Sequence, residues 1–214
     1  MSTEHTAAPA IADMSEQMQI RLEKRAKLIE SGREAYPVGL LDSEGNRVEP
    51  NHIEDLRAEY DPKLESGELK AGDETERVVH VGGRVVFVRN TGKLCFATLQ
   101  GGTEGKRIQA MLSLAEVGEE SLSEWKSLVD LGDHVFVTGR VIVSRRGELS
   151  IMVTDWKMAS KALRPMPVLH KDLNEETRVR QRYLDLMVRE EARELVKKRA
   201  LITRTVRRVL EDHG

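Results

Sequence analysis

Three short runs of alternating residues, separated by two glycine-containing turns, fill the stretch Val78–Leu114. Asn90–Lys93 ends the first run and Gly101–Gly105 ends the second. Asn and Gly are favoured in tight reversals because they tolerate positive φ. Strand side chains alternate between two faces, so one face of each run can be buried while the other is solvated. The pattern predicts three consecutive strands, whose inward-facing residues in the second and third runs are Cys95, Ala97, Leu99, Ile108, Ala110 and Leu112.

The same alternation leaves Phe96 and Gln109 on the solvated face, near Arg107. An aromatic ring among polar and basic neighbours on an open sheet is typical of surfaces that stack nucleic-acid bases. Packing of Phe96 beneath a loop or helix stays open as the second interpretation.

Two further alternating runs follow a helical segment. Ala115–Leu131 predicts a helix or a turn followed by a helix, and His134–Ser144 and Glu148–Lys157 predict strands on either side of the turn Arg145–Gly147. The order β-β-β-α-β-β is that of the OB-fold, a small barrel whose outer face commonly binds oligonucleotides. The predicted fold class is therefore mainly β with flanking helices (α+β), built on a five-stranded OB-fold barrel.

Helices are predicted on both sides of this barrel. Met14–Ser31 has apolar residues at helical spacing, and a short helix capped by Asn51 is expected to end at Asp61-Pro62, because the residue before proline avoids helical geometry. Towards the C terminus, Glu175–Val188 and Glu190–His213 both predict helices. We divide the chain into a disordered N terminus (1–13), a helical extension (14–72), the barrel (73–160), a proline-containing linker (161–174) and a helical C-terminal segment (175–214).

The helix Glu190–His213 carries an apolar stripe that nothing after it in the chain can cover. At 1.5 Å per residue the helix is about 36 Å long. An uncovered amphipathic helix predicts a partner chain or a continuation of the protein. The stripe residues are Leu195, Ile202, Val206, Val209 and Leu210.

Local charge, rather than overall charge, decides whether this chain can bind nucleic acid. The net charge is −2, so the whole molecule is not a basic binder. Four cations, Arg21, Lys24, Arg25 and Lys27, nevertheless lie close together on the first predicted helix. They form either an ordinary solvated face or a phosphate-contacting surface.

Other chemistries find no support in the residues. The single cysteine, Cys95, allows neither an internal disulfide nor a cysteine-based zinc site. Phosphate-binding Gly-Lys-Ser/Thr loops, metalloprotease His-Glu-x-x-His sequences and nucleophile-elbow serines are absent. We predict no catalytic residue and no metal site. We see no signal peptide and no membrane-spanning stretch, so we expect a cytoplasmic protein.

Several sequence strings resemble the bacterial class II lysyl-tRNA synthetases. The most specific is Arg180–Leu186 (RQRYLDL), supported by Lys161–Pro165 (KALRP) and Gly147–Ser150 (GELS). Phe96–Gln100 and Arg107–Gln109 look like the second and third barrel strands of that family. The resemblance extends from about Arg21 to the end of the chain.

The resemblance implies an N-terminal OB-fold that reads the lysine anticodon, joined to a catalytic domain that activates lysine with ATP and transfers it to tRNA. Glu190–His213 resembles the leading part of motif 1, which builds the family's homodimer interface, here through Leu195, Ile202, Val206 and Val209. Motifs 2 and 3 and the acidic Mg²⁺ ligands do not follow. We therefore expect a fragment or a truncated relative that binds tRNA(Lys) without catalysis; ATP and Mg²⁺ are expected only for the full-length enzyme.

Four residues match anticodon-reading positions of the family. Phe96 would stack on a base, Arg89 would lie at the reading surface, and Gln109 and Glu148 would hydrogen-bond base edges. Three of them also have an ordinary interpretation. Arg89 is then an exposed strand-end cation, Gln109 is a solvated strand residue, and Glu148 is a carboxylate paired with the adjoining Arg145 or Arg146. Two other functions stay open, a general single-stranded nucleic-acid-binding protein and a dimerisation protein that binds no nucleic acid.

Overall fold

A computed structural model of the chain describes residues 15–41, 45–102, 104–167 and 173–214. The predicted disorder of residues 1–13 and part of the predicted linker lie outside these residues. Five strands close into a barrel in the order β1-β2-β3-β5-β4. They are β1 (Glu74–Thr91), β2 (Leu94–Gly101), β3 (Lys106–Ser113), β4 (His134–Val143) and β5 (Leu149–Ser160).

The barrel confirms the predicted OB-fold. β3 and β5 pair in parallel, and the other neighbours pair antiparallel. All six residues predicted to face inward from β2 and β3 are fully buried, as are Leu149, Ile151 and Val153 of β5. Regular alternation along these strands therefore builds one aliphatic barrel interior.

Seven helices surround the barrel within the described residues. The segment between β3 and β4, predicted as a helix or as a turn followed by a helix, forms two helices, Leu114–Val117 and Glu119–Leu128, separated by Gly118 with a φ of 80°. The helices are α1 (Glu16–Glu30), α2 (Ile53–Glu65), α3 (Leu114–Val117), α4 (Glu119–Leu128), α5 (Glu175–Arg180), α6 (Arg182–Val188) and α7 (Glu190–His213).

Helix α2 differs from the prediction at both ends. Asn51 does not cap it; its side chain instead accepts a hydrogen bond from the His80 backbone N–H at 3.0 Å, which ties the segment to β1. The helix also continues through Pro62 to Glu65. Ile53, Leu56 and Tyr60 are buried in the same cluster as the barrel interior, so tertiary packing outweighs the local preference of proline.

The predicted helix Glu175–Val188 is broken at Gln181 into α5 and α6. The carboxylate of Asp185 is buried beside this break and accepts hydrogen bonds from Arg182 and Arg189, each at 3.0 Å. A buried carboxylate needs such partners. The break thus lets neighbouring arginines converge on one acid within the RQRYLDL string.

Two of the four cations on α1 are used inside the protein. Arg21 is buried and donates hydrogen bonds to the carbonyls of Ala162 and Leu131 at 3.0 and 2.9 Å. Lys24 pairs with Asp130 at 2.6 Å. The prediction that Arg21 and Lys24 contact phosphate is therefore corrected, because α1 packs on α4 and turns these cations towards the barrel.

Lys161 is the centre of a buried polar cluster next to α1. Its Nζ donates to the Leu128 carbonyl and to the carboxylates of Asp130 and Asp133, each at 2.7 Å. The side chains of Lys161 and Asp133 are completely buried. Burial raises the pKa of Asp130, but hydrogen bonds from Lys161 and Lys24 outweigh that effect and hold the pKa below its ordinary value. The cluster joins the end of β5 to the α4–β4 connection.

The apolar stripe of α7 is exposed, as predicted. Leu195, Ile202, Val206 and Val209 are all about half exposed or more, and α7 contacts mainly α6 through its first turns. Among the helices that the structure describes, none has the length and hydropathy of a membrane span.

Candidate nucleic-acid interface

A concave groove of about 920 Å³ lies on the outer face of the barrel. Residues of all five strands line it, together with Arg57 of α2 and the turn between β4 and β5. All four predicted anticodon-reading residues, Arg89, Phe96, Gln109 and Glu148, are among its lining residues.

Phe96 and Arg89 occupy directly opposed positions on neighbouring strands. The β1–β2 ladder pairs Arg89 with Phe96, and the β2–β3 ladder pairs Phe96 with Met111. Phe96 is half-buried, lines the groove and does not belong to the buried core cluster. The interpretation of Phe96 as a core residue is therefore wrong, and an aromatic ring lies beside an exposed guanidinium on an open surface.

Gln109 is fixed on the same face by two ladders. It pairs with Thr98 of β2 and with Ser150 of β5. The Ser150 hydroxyl, which is buried, donates to Gln109 Oε1 at 3.0 Å. No hydrogen bond joins the Gln109 amide nitrogen to any residue within the described ranges, so its two N–H groups are the donors that the side chain offers to the groove.

Glu148 is held by Arg57 of α2, a residue that no local sequence pattern links to it. Arg57 of α2 donates to the Glu148 carboxylate at 2.7 Å, to Asp61 at 3.2 Å and, through Nε, to the Arg107 carbonyl at 2.8 Å. Burial lowers the pKa of Arg57, but these acidic partners outweigh it and raise the pKa above its ordinary value. The predicted alternative, a pair between Glu148 and a cation of the adjoining turn, is wrong.

Two exposed cations complete the electrostatics of the groove. Arg145 and Arg146 lie in the β4–β5 turn and line the groove, and neither forms an ion pair with any residue that the structure describes. Together with Arg89 and Arg107 they outnumber the two lining acids, Glu74 and Glu148. A net positive rim around an aromatic ring favours a polyanion that carries planar groups.

The remaining predicted site residues lie elsewhere. Lys27 is exposed on α1, and the Arg25 guanidinium lies over the Tyr36 ring at 5.5 Å. Cys95 is a buried free thiol whose pKa is raised by burial, as expected of a core residue. Over the described residues, no group of three or more acidic, histidine or cysteine side chains has the arrangement of a metal site.

Comparison with known proteins agrees with this geometry. Residues 79–159 match a family of OB-fold nucleic acid binding domains of the tRNA anticodon type. The lysine–tRNA ligase of Kineococcus radiotolerans is 54% identical over 202 residues, which are 94% of this chain and 38% of that protein. The enzyme of Mycobacterium tuberculosis is 46% identical over 209 residues, and that of a Synechococcus strain is 37% identical over 201 residues.

The chain thus spans between a third and two fifths of the length of these relatives, 38% to 39% of each. Nearly all of it takes part in each match, including the α1 and α2 segments outside the barrel. Residues 79–159 thus match the OB-fold nucleic acid binding domains, in a chain that is similar over nearly all of its length to part of the lysine–tRNA ligases.

Proposed function

We propose that this chain is the anticodon-binding part of a lysine–tRNA ligase and that its barrel groove reads the anticodon of tRNA(Lys). The observation that carries the proposal is that Arg89, Phe96, Gln109 and Glu148 line one groove. Phe96 supplies a stacking face, the Gln109 amide donates to a base acceptor, and the Glu148 carboxylate accepts from a base N–H. Arg89 supplies charge beside the stacked base.

The proposal extends to the whole protein. Its full-length form activates lysine with ATP and Mg²⁺ and transfers it to tRNA(Lys) in the cytoplasm. These 214 residues alone bind tRNA and do not catalyse lysine-dependent exchange of pyrophosphate into ATP.

Binding to anticodon stem–loops tests the proposal. Fluorescence anisotropy compares a stem–loop carrying the lysine anticodon with one whose central base is changed. Preference for the lysine anticodon supports the proposal. Equal binding of both would instead indicate a general single-strand-binding protein, and absence of binding at low salt would leave a dimerisation role.

Arg57 is expected to act on RNA binding through Glu148. Arg57→Ala removes the partner that orients the Glu148 carboxylate, so we expect weaker binding and poorer discrimination at the central base. Because Glu148 is half exposed, the coupling between Arg57→Ala and Glu148→Ala should be modest, about 0.2–1 kcal/mol. A double-mutant cycle in stem–loop affinity measures it. Lys63→Ala is the control, since it alters an ion pair of the same helix outside the groove; strictly additive effects of the first two variants would contradict the coupling.

We further propose that Arg25 and Lys27 contact the tRNA backbone. Lys27→Gln should lower the slope of log affinity against log salt by about 0.7–0.9 and weaken all RNAs alike, because one phosphate contact is lost. Lys24→Gln is the matched control on the same helix: its ammonium pairs with Asp130, so the expected loss is in thermal stability. If neither Lys27→Gln nor Arg25→Gln changes the slope of log affinity against log salt, α1 is not part of the RNA-binding surface.

Homodimerisation through α7 is the last part of the proposal. Leu195, Ile202 and Val209 expose apolar surface whose burial is worth about 1.5–3 kcal/mol per residue. We expect self-association in sedimentation equilibrium, and we expect Ile202→Glu to abolish it. Arg204→Glu puts the same charge on the opposite face of the helix and should leave association intact. A wild-type monomer with α7 fully protected from hydrogen exchange would contradict this expectation.

A further inference from the structure

A β-bulge in β1 determines which side chains reach the groove. Val85 pairs with Leu99, but the next ladder position pairs Phe87 with Thr98, so Val86 is an extra residue. Val85 and Val86 are consecutive and both buried. After the bulge the alternation is inverted, and Phe87 and Arg89 face outwards. Bulges commonly re-aim side chains in this way.

Phe87 is the most exposed of the aromatic side chains on this groove. Its exposed fraction is 55%, and it lines the same cavity as Phe96 and Arg89. The barrel interior is complete without it, because Phe87 does not belong to the buried cluster. Folding therefore gains little from a phenylalanine at this position, and the bulge holds the ring at the surface.

We propose that Phe87 is a second base-stacking residue, which binds the nucleotide next to the one stacked on Phe96. Phe96 opposes Arg89, and Phe87 lies two residues before Arg89, so the two rings are diagonal neighbours across β1 and β2. Such positions are separated by about 7–8 Å between Cα atoms. Neighbouring aromatic side chains on a sheet stack successive bases of a single strand.

The charges around Phe87 favour RNA as the occupant. Arg89 follows it by two residues, and the exposed Arg145 and Arg146 line the same groove. An apolar protein surface would have to desolvate these cations, whereas a nucleic-acid strand pairs them with phosphates while its bases cover the rings. The inference rests on the proposed function, because it assigns a second nucleotide position in the same groove.

Base-specific fluorescence tests the assignment. Stem–loops carrying 2-aminopurine at single anticodon-loop positions are titrated with wild type, Phe87→Ala, Phe87→Leu, Phe87→Trp and Phe96→Ala, and each variant is melted to show that it folds. We expect Phe87→Ala and Phe87→Leu to weaken binding by ~5- to 150-fold. Each should remove the fluorescence change at one position next to the position that responds to Phe96→Ala. Phe87→Trp should retain both properties.

The control is Tyr183→Ala, which removes an exposed aromatic side chain of α6 that does not line this groove. It should bind like wild type. Wild-type affinity and fluorescence for Phe87→Ala, with weakened binding for Phe96→Ala, would overturn the second stacking position and leave the proposed function standing. Full affinity for Phe87→Leu would show that the Phe87 side chain makes only ordinary apolar contact with the RNA. That result would also overturn the second stacking position. Absence of stem–loop binding by wild type would overturn both proposals.

Discussion

Phe96→Ala is expected to weaken binding of the lysine anticodon stem–loop by ~5- to 150-fold while leaving the melting temperature of the protein nearly unchanged. Base–aromatic stacking is worth about 1–3 kcal/mol per base, and removal of the ring loses it. The ring is half-buried on the outer face and lies outside the core cluster, so the free energy of unfolding should change little. The salt dependence of binding should also stay constant, because no charge is lost.

Measurement of affinity and thermal stability on the same variant separates the two roles of the ring. Val78→Ala serves as the control, since Val78 is an exposed apolar residue of β1 that does not line the groove. A variant that melts much earlier, but whose folded fraction binds RNA normally, would show that Phe96 serves stability. The groove would then lose its central stacking contact.

Lys161→Met is expected to be strongly destabilising, with a loss of about 3–5 kcal/mol in the free energy of unfolding. Lys161 and Asp133 have completely buried side chains, and methionine would leave the Asp133 carboxylate without its cation. Asp130 would keep only one of its two ion pairs, the one with Lys24. Urea denaturation at neutral pH measures the loss. A loss below about 1 kcal/mol, the range of exposed pairs, would contradict the importance of this cluster.

Two further variants test the role of this buried cluster. Lys63→Met removes the cation of the exposed pair with Glu59 and should change stability by less than about 1 kcal/mol. Lys161→Met combined with Asp133→Asn should recover part of the loss, because the neutral amide leaves no isolated charge and its oxygen still accepts from the Ala162 N–H.

The cluster also gives stability a pH dependence. The pKa of Asp130 is depressed in the folded state, so its contribution is present above the ordinary carboxyl pKa and is lost as pH falls through the folded-state value. Wild type should therefore lose more stability than Lys161→Met on acidification.

Period-two alternation was a reliable guide wherever a strand is regular. It identified the buried faces of β2 and β3, and it put Phe96 and Gln109 outside, because the ladder between these strands runs without interruption. In β1 it fails at Val86. Strict alternation from Val85 would turn Phe87 inwards, and only backbone pairing reveals the bulge.

Contacts between residues that are distant in the sequence also escape prediction from local patterns. Arg57 and Glu148 are 91 residues apart, and no local pattern joins them. Arg21 and Lys24 appear as part of a solvated charge run, but their partners Ala162 and Asp130 are distant in the sequence. Arg89 and Glu148 were predicted from family resemblance rather than from periodicity, which shows what pattern alone leaves out.

Because of the bulge at Val86, the residues of β1 that face the groove depend on the extra residue in the strand as much as on which amino acids the strand contains. Pairing of the intact β1 with β2 without this bulge would bring Val88 and Asn90 to the outer face in place of Phe87 and Arg89, without any substitution. Deletion of Val86 itself would leave Phe87 and Arg89 outside, because Val86 is the residue without a partner in the ladder. An alignment that places a one-residue gap after Phe87 instead of at Val86 would therefore misassign which positions of β1 face the groove.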